Sequence, residues 1–307
     1  MQRIFIVGCP RSGTTLVQAM LARHPAAFTL PETAFFEYLF TDLRWRWGDP
    51  SARARPRRPH HRLGFARRGG RRAFRRLQHE LLGVPVRRAR APWRTRACTR
   101  KFVAMLDRMA ATAKRTAWVE KTPNHLLYIP EIEAALPEAR FIHVIRPGMD
   151  VVASLTDAAL RFDAYTAFEG SVALWTHRWH HAMQIHRKYV GHPNHHFIFL
   201  EDLVRDNAGT WRRLCDFLDL PACTPLEDAG SQAIAHPEKE PWKQGALAGV
   251  PRETERKADE LFGPRIKGWM RPHLLSYDEL RATCSACATP AQADSGAAAA
   301  CAPNNLA

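Results

Sequence analysis

The chain opens on an unbroken apolar run, Ile4-Phe5-Ile6-Val7, that ends at Gly8. A short run apolar at every position predicts a strand buried on both faces, over Arg3–Gly8. After a turn, Leu16, Met20 and Leu21 recur at helical spacing and predict a helix over Thr14–His24, ended by Pro25. Ala27–Leu30 reads as a second strand, Phe102–Ala113 as a helix and Ala117–Glu120 as a third strand. Arg140–Ile145 (RFIHVI) repeats the continuous apolar pattern. A helix over Asp150–Ala159 should follow it, with Asp150 near the positive end. Gly170–Tyr189 predicts a longer helix, His196–Leu200 a strand, and Trp211–Leu218 and Glu253–Phe262 further helices. From about Thr283 the sequence turns Ala-rich and polar, which predicts a disordered tail over 283–307. No internal repeat is visible.

Alternating strand and helix patterns argue for an α/β fold, a P-loop-like parallel sheet flanked by helices, with ligands at the carboxyl ends of the strands. The 307 residues, 46% of them apolar, suit a single domain over 1–282 with a full core. Charge changes this picture in one region. The formal net charge is +15, yet residues 44–100 hold nineteen arginines, no lysine, and only Asp49 and Glu80 as acids. We read this segment as an Arg-rich insertion within the domain, helical in stretches such as Phe74–Leu82. It suits capture of an acidic glycan, lipid or peptide acceptor, or peripheral contact with an anionic membrane; a merely solvated insertion fits as well. Trp45, Trp47 and Trp93 form no recognisable stacking module, so nucleic acid is not the expected partner.

The sequence runs straight into its first strand with no cleavable leader ahead of it, and no apolar run approaches the ~20 residues that span a bilayer. A soluble cytoplasmic location is the expectation. The seven cysteines are scattered and odd in number, and read as reduced thiols.

Two segments carry chemistry. The first is Gly8-Cys9-Pro10-Arg11-Ser12-Gly13-Thr14-Thr15, which has the spacing of a phosphate loop between strand and helix. Its glycines let successive N–H groups point inward, the helix adds its positive end, and Ser12, Thr14 and Thr15 add hydroxyl donors. Thr14 stands where a nucleoside-triphosphate enzyme needs Lys, and the positive charge sits instead at Arg11. Such a loop suits a terminal phosphate-like group better than a triphosphate with Mg²⁺. The second segment is FIHVIRPGMDVVASL, in which Arg146 ends a strand and Ser154 follows eight residues later on the next helix. The pair can converge on one anion.

PRSGTT after a buried strand resembles the 5'-phosphosulfate loop of sulfotransferases that use 3'-phosphoadenosine 5'-phosphosulfate (PAPS), in the form seen in tyrosylprotein sulfotransferases and many bacterial members. The resemblance covers roughly residues 3–40, 117–160 and 195–270. It implies that Arg11, Ser12, Gly13, Thr14 and Thr15 surround the 5'-phosphate and transferable sulfate, and that Arg146 and Ser154 hold the 3'-phosphate. Arg161 is a weaker candidate beside them. The reaction implied is transfer of the sulfuryl group to an acceptor hydroxyl, with PAPS as co-substrate and no metal.

Sulfuryl transfer needs an in-line acceptor, a base for its proton, and cations near the leaving oxygen. Glu32 in LPETAFF is the candidate base, at the distance from Arg11 where tyrosylprotein sulfotransferases carry a catalytic Glu. Its apolar neighbours Pro31, Phe35 and Phe36 should raise its pKa. Glu37 is the weaker alternative. Lys121 in WVEKTP resembles the family's transition-state lysine, with Arg11 sharing that role and Glu120 a structural neighbour that could pair with it. Pro123 stands where the steroid and phenol enzymes place a catalytic His, and His125 is displaced, which favours Glu32. In KEPWK the resemblance implies that Trp242 stacks on adenine and Lys243 meets the 3'-phosphate. Leu200 stands where relatives often have Tyr.

Other signals carry less. His177 and His181 lie at i, i+4 without the Glu of a zinc-protease motif, Trp175 and Trp179 read as core, and Cys284-Ser285-Ala286-Cys287 reads as chance spacing. Two further classes stay open on sequence: a P-loop kinase or related phosphotransferase, and an anion-surface binding protein with a vestigial loop.

Overall fold

The computed structural model describes residues 1–50, 52, 64–162, 168–221, 234–235, 240–247, 249 and 257–288. Its frame is a five-stranded, wholly parallel sheet in the order β2-β3-β1-β4-β5, with β1 Gln2–Gly8, β2 Ala27–Thr29, β3 Ala117–Lys121, β4 Arg140–Ile145 and β5 His195–Phe199. The helices, in chain order, are α1 Thr14–Ala22, α2 Phe35–Phe40, α3 Leu43–Arg46, α4 Arg68–Leu82, α5 Thr95–Thr112, α6 Ile129–Glu133, α7 Gly148–Arg161, α8 Val172–Lys188, α9 Leu200–Arg205, α10 Asn207–Phe217, α11 Gln244–Leu247, α12 Lys257–Leu261, α13 Pro264–Met270 and α14 Tyr277–Ala288.

The apolar runs are continuous because both faces of the sheet are covered. Alternate residues of β1 enter two different cores. Phe5 and Val7 join Trp118, Phe141 and Ile145 beneath the α7–α8 side. Ile4 and Ile6 join Val119, Ile142 and Val144 against α1 and α10. The central strand β1 pairs with β3 on one side and β4 on the other, so the chain leaves it in opposite directions. That reversal opens a crevice at the carboxyl ends, where ligands of such sheets sit.

All five expected strands are present. Several boundaries differ. The helix of the insertion starts six residues before Phe74, and α5 begins at Thr95 rather than Phe102. The arginines there hid an amphipathic pattern, because their charge masks a buried stripe of Gly70, Phe74, Leu77 and Gln78. Helix α14 runs through Thr283 to Ala288, across the expected start of the tail; residues 289–307 lie outside the described residues. The first part of the helix expected over Glu253–Phe262 lies outside them too. Among the described residues no helix is long and apolar enough to cross a membrane.

Candidate active site

Four loops meet at the carboxyl edge of the sheet, and each carries one of the expected groups. The β1 loop turns through Arg11 at φ 73° and Gly13 at φ 97°, both left-handed. Gly13 suits this conformation, while Arg11 is strained in it, a feature that collects at functional loops. Space is short as well: a Cβ on Gly13 would lie 2.9 Å from Cδ1 of Leu200. Leu200, where relatives often have Tyr, thus packs on the loop. Gly13 caps α1 without any side-chain hydrogen bond, so the first N–H groups of the helix, at Thr14 and Thr15, are left for an anion.

The loop and the second motif are in direct contact. Arg11 Nε donates to Ser154 Oγ at 3.1 Å, and Arg146 Nη1 reaches the carbonyl of Arg11 at 3.5 Å. The indole of Trp179 fixes the strand end, donating to the carbonyl of Arg146 at 3.0 Å. Sequence reading placed Trp179 in the core, where it is, but missed this second duty; its helical spacing carries no sign of it. Two buried polar atoms here have no protein partner, Ser12 Oγ and Arg146 Nε. Burial lowers the pKa of both Arg11 and Arg146, and their mutual repulsion lowers Arg11 further. Orphaned donors beside under-compensated cations are what an anion-binding cradle leaves when read without its anion.

A second cluster lies beside the first. Glu32 follows β2, and Lys121 ends β3, fully buried. Lys121 Nζ donates to Glu32 Oε1 and to Thr15 Oγ1 at 3.3 Å. Lys243, in the short 3₁₀ turn Pro241–Lys243, donates to the same Glu32 oxygen at 2.7 Å and also pairs with Glu240. Burial alone would raise the pKa of Glu32. Lys121 and Lys243 outweigh it and bring the pKa down to about 2. The expected upward shift is therefore corrected: the apolar neighbours are present, but two ammonium groups dominate. Lys121 is lowered by burial and by Lys243, although Glu32 opposes this. Glu37, one helical turn into α2, is pushed up to about 7 by burial, with His125 and Asn124 pulling it back.

Glu120 does not pair with Lys121. Its carboxylate accepts from Thr33 and Thr122 hydroxyls, each at 2.7 Å, and faces His125 Nδ1 at 2.8 Å. Neighbouring residues of a strand point to opposite sides, which separates the two. His125 is buried and accepts the Phe36 N–H at 3.3 Å, so it is committed to the fold. Lys243 sits on Glu32 and Glu240. Trp242 packs edge-on against Phe168 and Phe162, at 4.9 and 5.8 Å between centroids, and Arg11 lies 6.0 Å from the Phe168 ring. Arg161 pairs with Asp157.

Residues 3–225 match the model of the sulfotransferase family. Protein-tyrosine sulfotransferase A of Caenorhabditis elegans is 25% identical over 85% of this chain and 58% of its own length. The protein-tyrosine sulfotransferase of Drosophila melanogaster is 24% identical over 86% of this chain and 45% of its own. The chain thus spans about half the length of the curated relatives it matches. In fold it is similar to a sulfotransferase from Alicyclobacillus acidocaldarius, with a TM-score of 0.50 at 16% identity over 93% of this chain and 96% of the other. A mouse sulfotransferase complexed with PAP gives a TM-score of 0.50 at 11% identity over 93% and 89%. With a family match running from the first strand past the last, over the loops after β1 and β4, the chain belongs to the sulfotransferase family.

Proposed function

We propose that the protein transfers the sulfuryl group of PAPS to a hydroxyl of a protein, peptide or similar acceptor, with Glu32 as the base. The observation that carries this reading is the contact of Arg11 with Ser154, which joins the two anion-binding motifs into one elongated cradle. The orphaned Ser12 Oγ and Arg146 Nε fit a ligand with phosphate groups at two positions. The PAP bound by the mouse neighbour fits that ligand class. The co-substrate supplies the sulfuryl group, held at its 5' end by the Arg11–Thr15 loop and at its 3'-phosphate by Arg146 and Ser154.

In the reaction the acceptor oxygen bonds to sulfur as the bond from sulfur to the phosphate oxygen breaks. Glu32 takes the acceptor proton, and Lys121 with Arg11 offsets the negative charge on the departing oxygen. A carboxylate with a pKa of about 2 is a feeble base. The donor's sulfate and phosphate oxygens compete for Lys121 and Lys243, and Glu32, still buried but relieved of its cations, becomes basic enough to act. The ion-pair cluster is then the resting state of the site.

Calorimetric titration tests the cradle. Metal-independent binding of 3',5'-diphosphoadenosine, much tighter than of ADP, is the expected result. Equal binding of the two nucleotides, or binding of ADP only with Mg²⁺, would refute the reading.

A further inference from the structure

We propose that helix α4 and the segment after it, up to Trp93, form a docking surface for an anionic lipid bilayer. Helix α4 is anchored on one stripe. Phe74 meets the ring of Phe35 at 5.2 Å, and a Cβ on Gly70 would lie 2.6 Å from the carbonyl of Tyr38, so helix and α2 are in close contact. The opposite stripe presents Arg68, Arg72 and Arg76, all exposed and four residues apart. Arg68, Arg71, Arg72 and Arg75 alone line an open cavity of about 270 Å³.

These cations lack carboxylate partners. Among the described residues, Arg3, Arg46, Arg140, Arg178 and Arg281 are all ion-paired, while none of the arginines of α4 is. Like charges at helical spacing repel one another, and an anion bound between them relieves the cost. Guanidinium groups, five donors in a rigid fork, match phosphate geometry.

The returning segment adds the apolar component. It lies along α4, with Gln78 Nε2 donating to the carbonyl of Arg90 and Arg71 Nε to that of Ala91, each at 3.2 Å. Trp93 stands 67% exposed, its ring 3.9 Å from the Arg71 guanidinium, and Leu82 and Val86 are 46% and 40% exposed. Exposed Arg87, Arg88 and Arg90 lie between Val86 and Trp93 in the chain. A nucleic acid or an acidic glycan has no apolar layer to receive Leu82, Val86 and Trp93. A bilayer offers both layers, head-group phosphates for the arginines and the acyl boundary for the apolar tips.

Docking does not depend on sulfuryl transfer, so its test reads binding alone. The full chain is sedimented with vesicles of phosphatidylcholine, or of phosphatidylcholine and phosphatidylglycerol in equal parts. Binding should be confined to the mixed vesicles and weaken with salt. Arg72→Gln with Arg76→Gln should weaken it about 30-fold, a factor of about five per arginine, with the melting temperature unchanged. Trp93→Ala should weaken it at low and high salt alike. No vesicle binding, equal binding to both vesicle types, or indifference to these substitutions would overturn the proposal. Binding to heparin or a DNA duplex but not to vesicles would overturn it in favour of a soluble polyanion.

Discussion

Lys243 reaches back across 211 positions of sequence to donate to Oε1 of Glu32 at 2.7 Å. Removing that ammonium removes one of the two causes that hold the carboxylate down. Lys243→Met should therefore raise the pKa of Glu32 and move the acid limb of the kcat/KM profile to higher pH. An acid limb that stays in place would show that Glu32 is not the group being read.

Glu32→Gln should keep affinity for 3',5'-diphosphoadenosine and lower kcat by about 10²–10⁴-fold, the usual weight of general-base catalysis. Single-turnover assay with a tyrosine-bearing peptide, alongside nucleotide titration, separates the two quantities. Full turnover in the variant would transfer attention to Glu37, in the first turn of α2, whose pKa of about 7 suits a base.

Arg146→Ala should weaken 3',5'-diphosphoadenosine by roughly 10–100-fold, the loss of a charge-assisted hydrogen-bond donor. ADP, lacking the 3'-phosphate, should bind as before. The ratio of the two dissociation constants, measured by calorimetry, reports the effect without any activity assay.

The sheet and the two loops at its carboxyl edge, after β1 and after β4, were legible because each rests on a short-range pattern. Ile4–Val7 and Arg140–Ile145 are apolar at every position, and the glycines and arginines that follow them are fixed by the turn. What was not legible depends on contacts between distant segments. Nothing near Glu32 in sequence announces Lys243, so its apolar flanks suggested a raised pKa where the fold lowers it. The six extra residues of α4 were hidden for a related reason: a helix whose outer face is arginine has a low mean hydropathy, and its buried stripe is seen only once α2 lies against it.

Gly13→Ala should destabilise the protein by about 1–3 kcal/mol, through the left-handed φ of 97° and the approach to Leu200. Pairing it with Leu200→Ala relieves the approach but leaves the backbone strain. Thermal melts should show only partial recovery in the double variant.

A buried chain of histidines links β4, β5 and α8 on the α7–α8 side of the sheet. His143 meets His186 and His195, each at 2.8 Å, and His195 Nε2 donates to Glu133 at 3.0 Å. Burial lowers all three, His186 to about 3, and also lowers His196 to about 4. The unfolded chain takes up these protons near the ordinary histidine value, about 6.5, while the folded chain resists them. Their contribution to stability is thus full above about pH 6.5 and is lost as pH drops toward about 3. His186→Phe removes one such group, and urea titrations from pH 7 to 4 should show a shallower decline.

The placement of β1 at the centre of the sheet bears on how the molecule is made. Ile4 lies in register with Val119 on one side and Arg140 on the other, so β1 is synthesised well ahead of both of its partners. At translation rates of about 5–20 residues per second, the 115 residues from Ile4 to Val119 leave an apolar strand unpaired for roughly 6–23 s. A chaperone holdase bound to β1 as it emerges would suit that interval, and soluble yield from a cell-free system should rise when one is supplied.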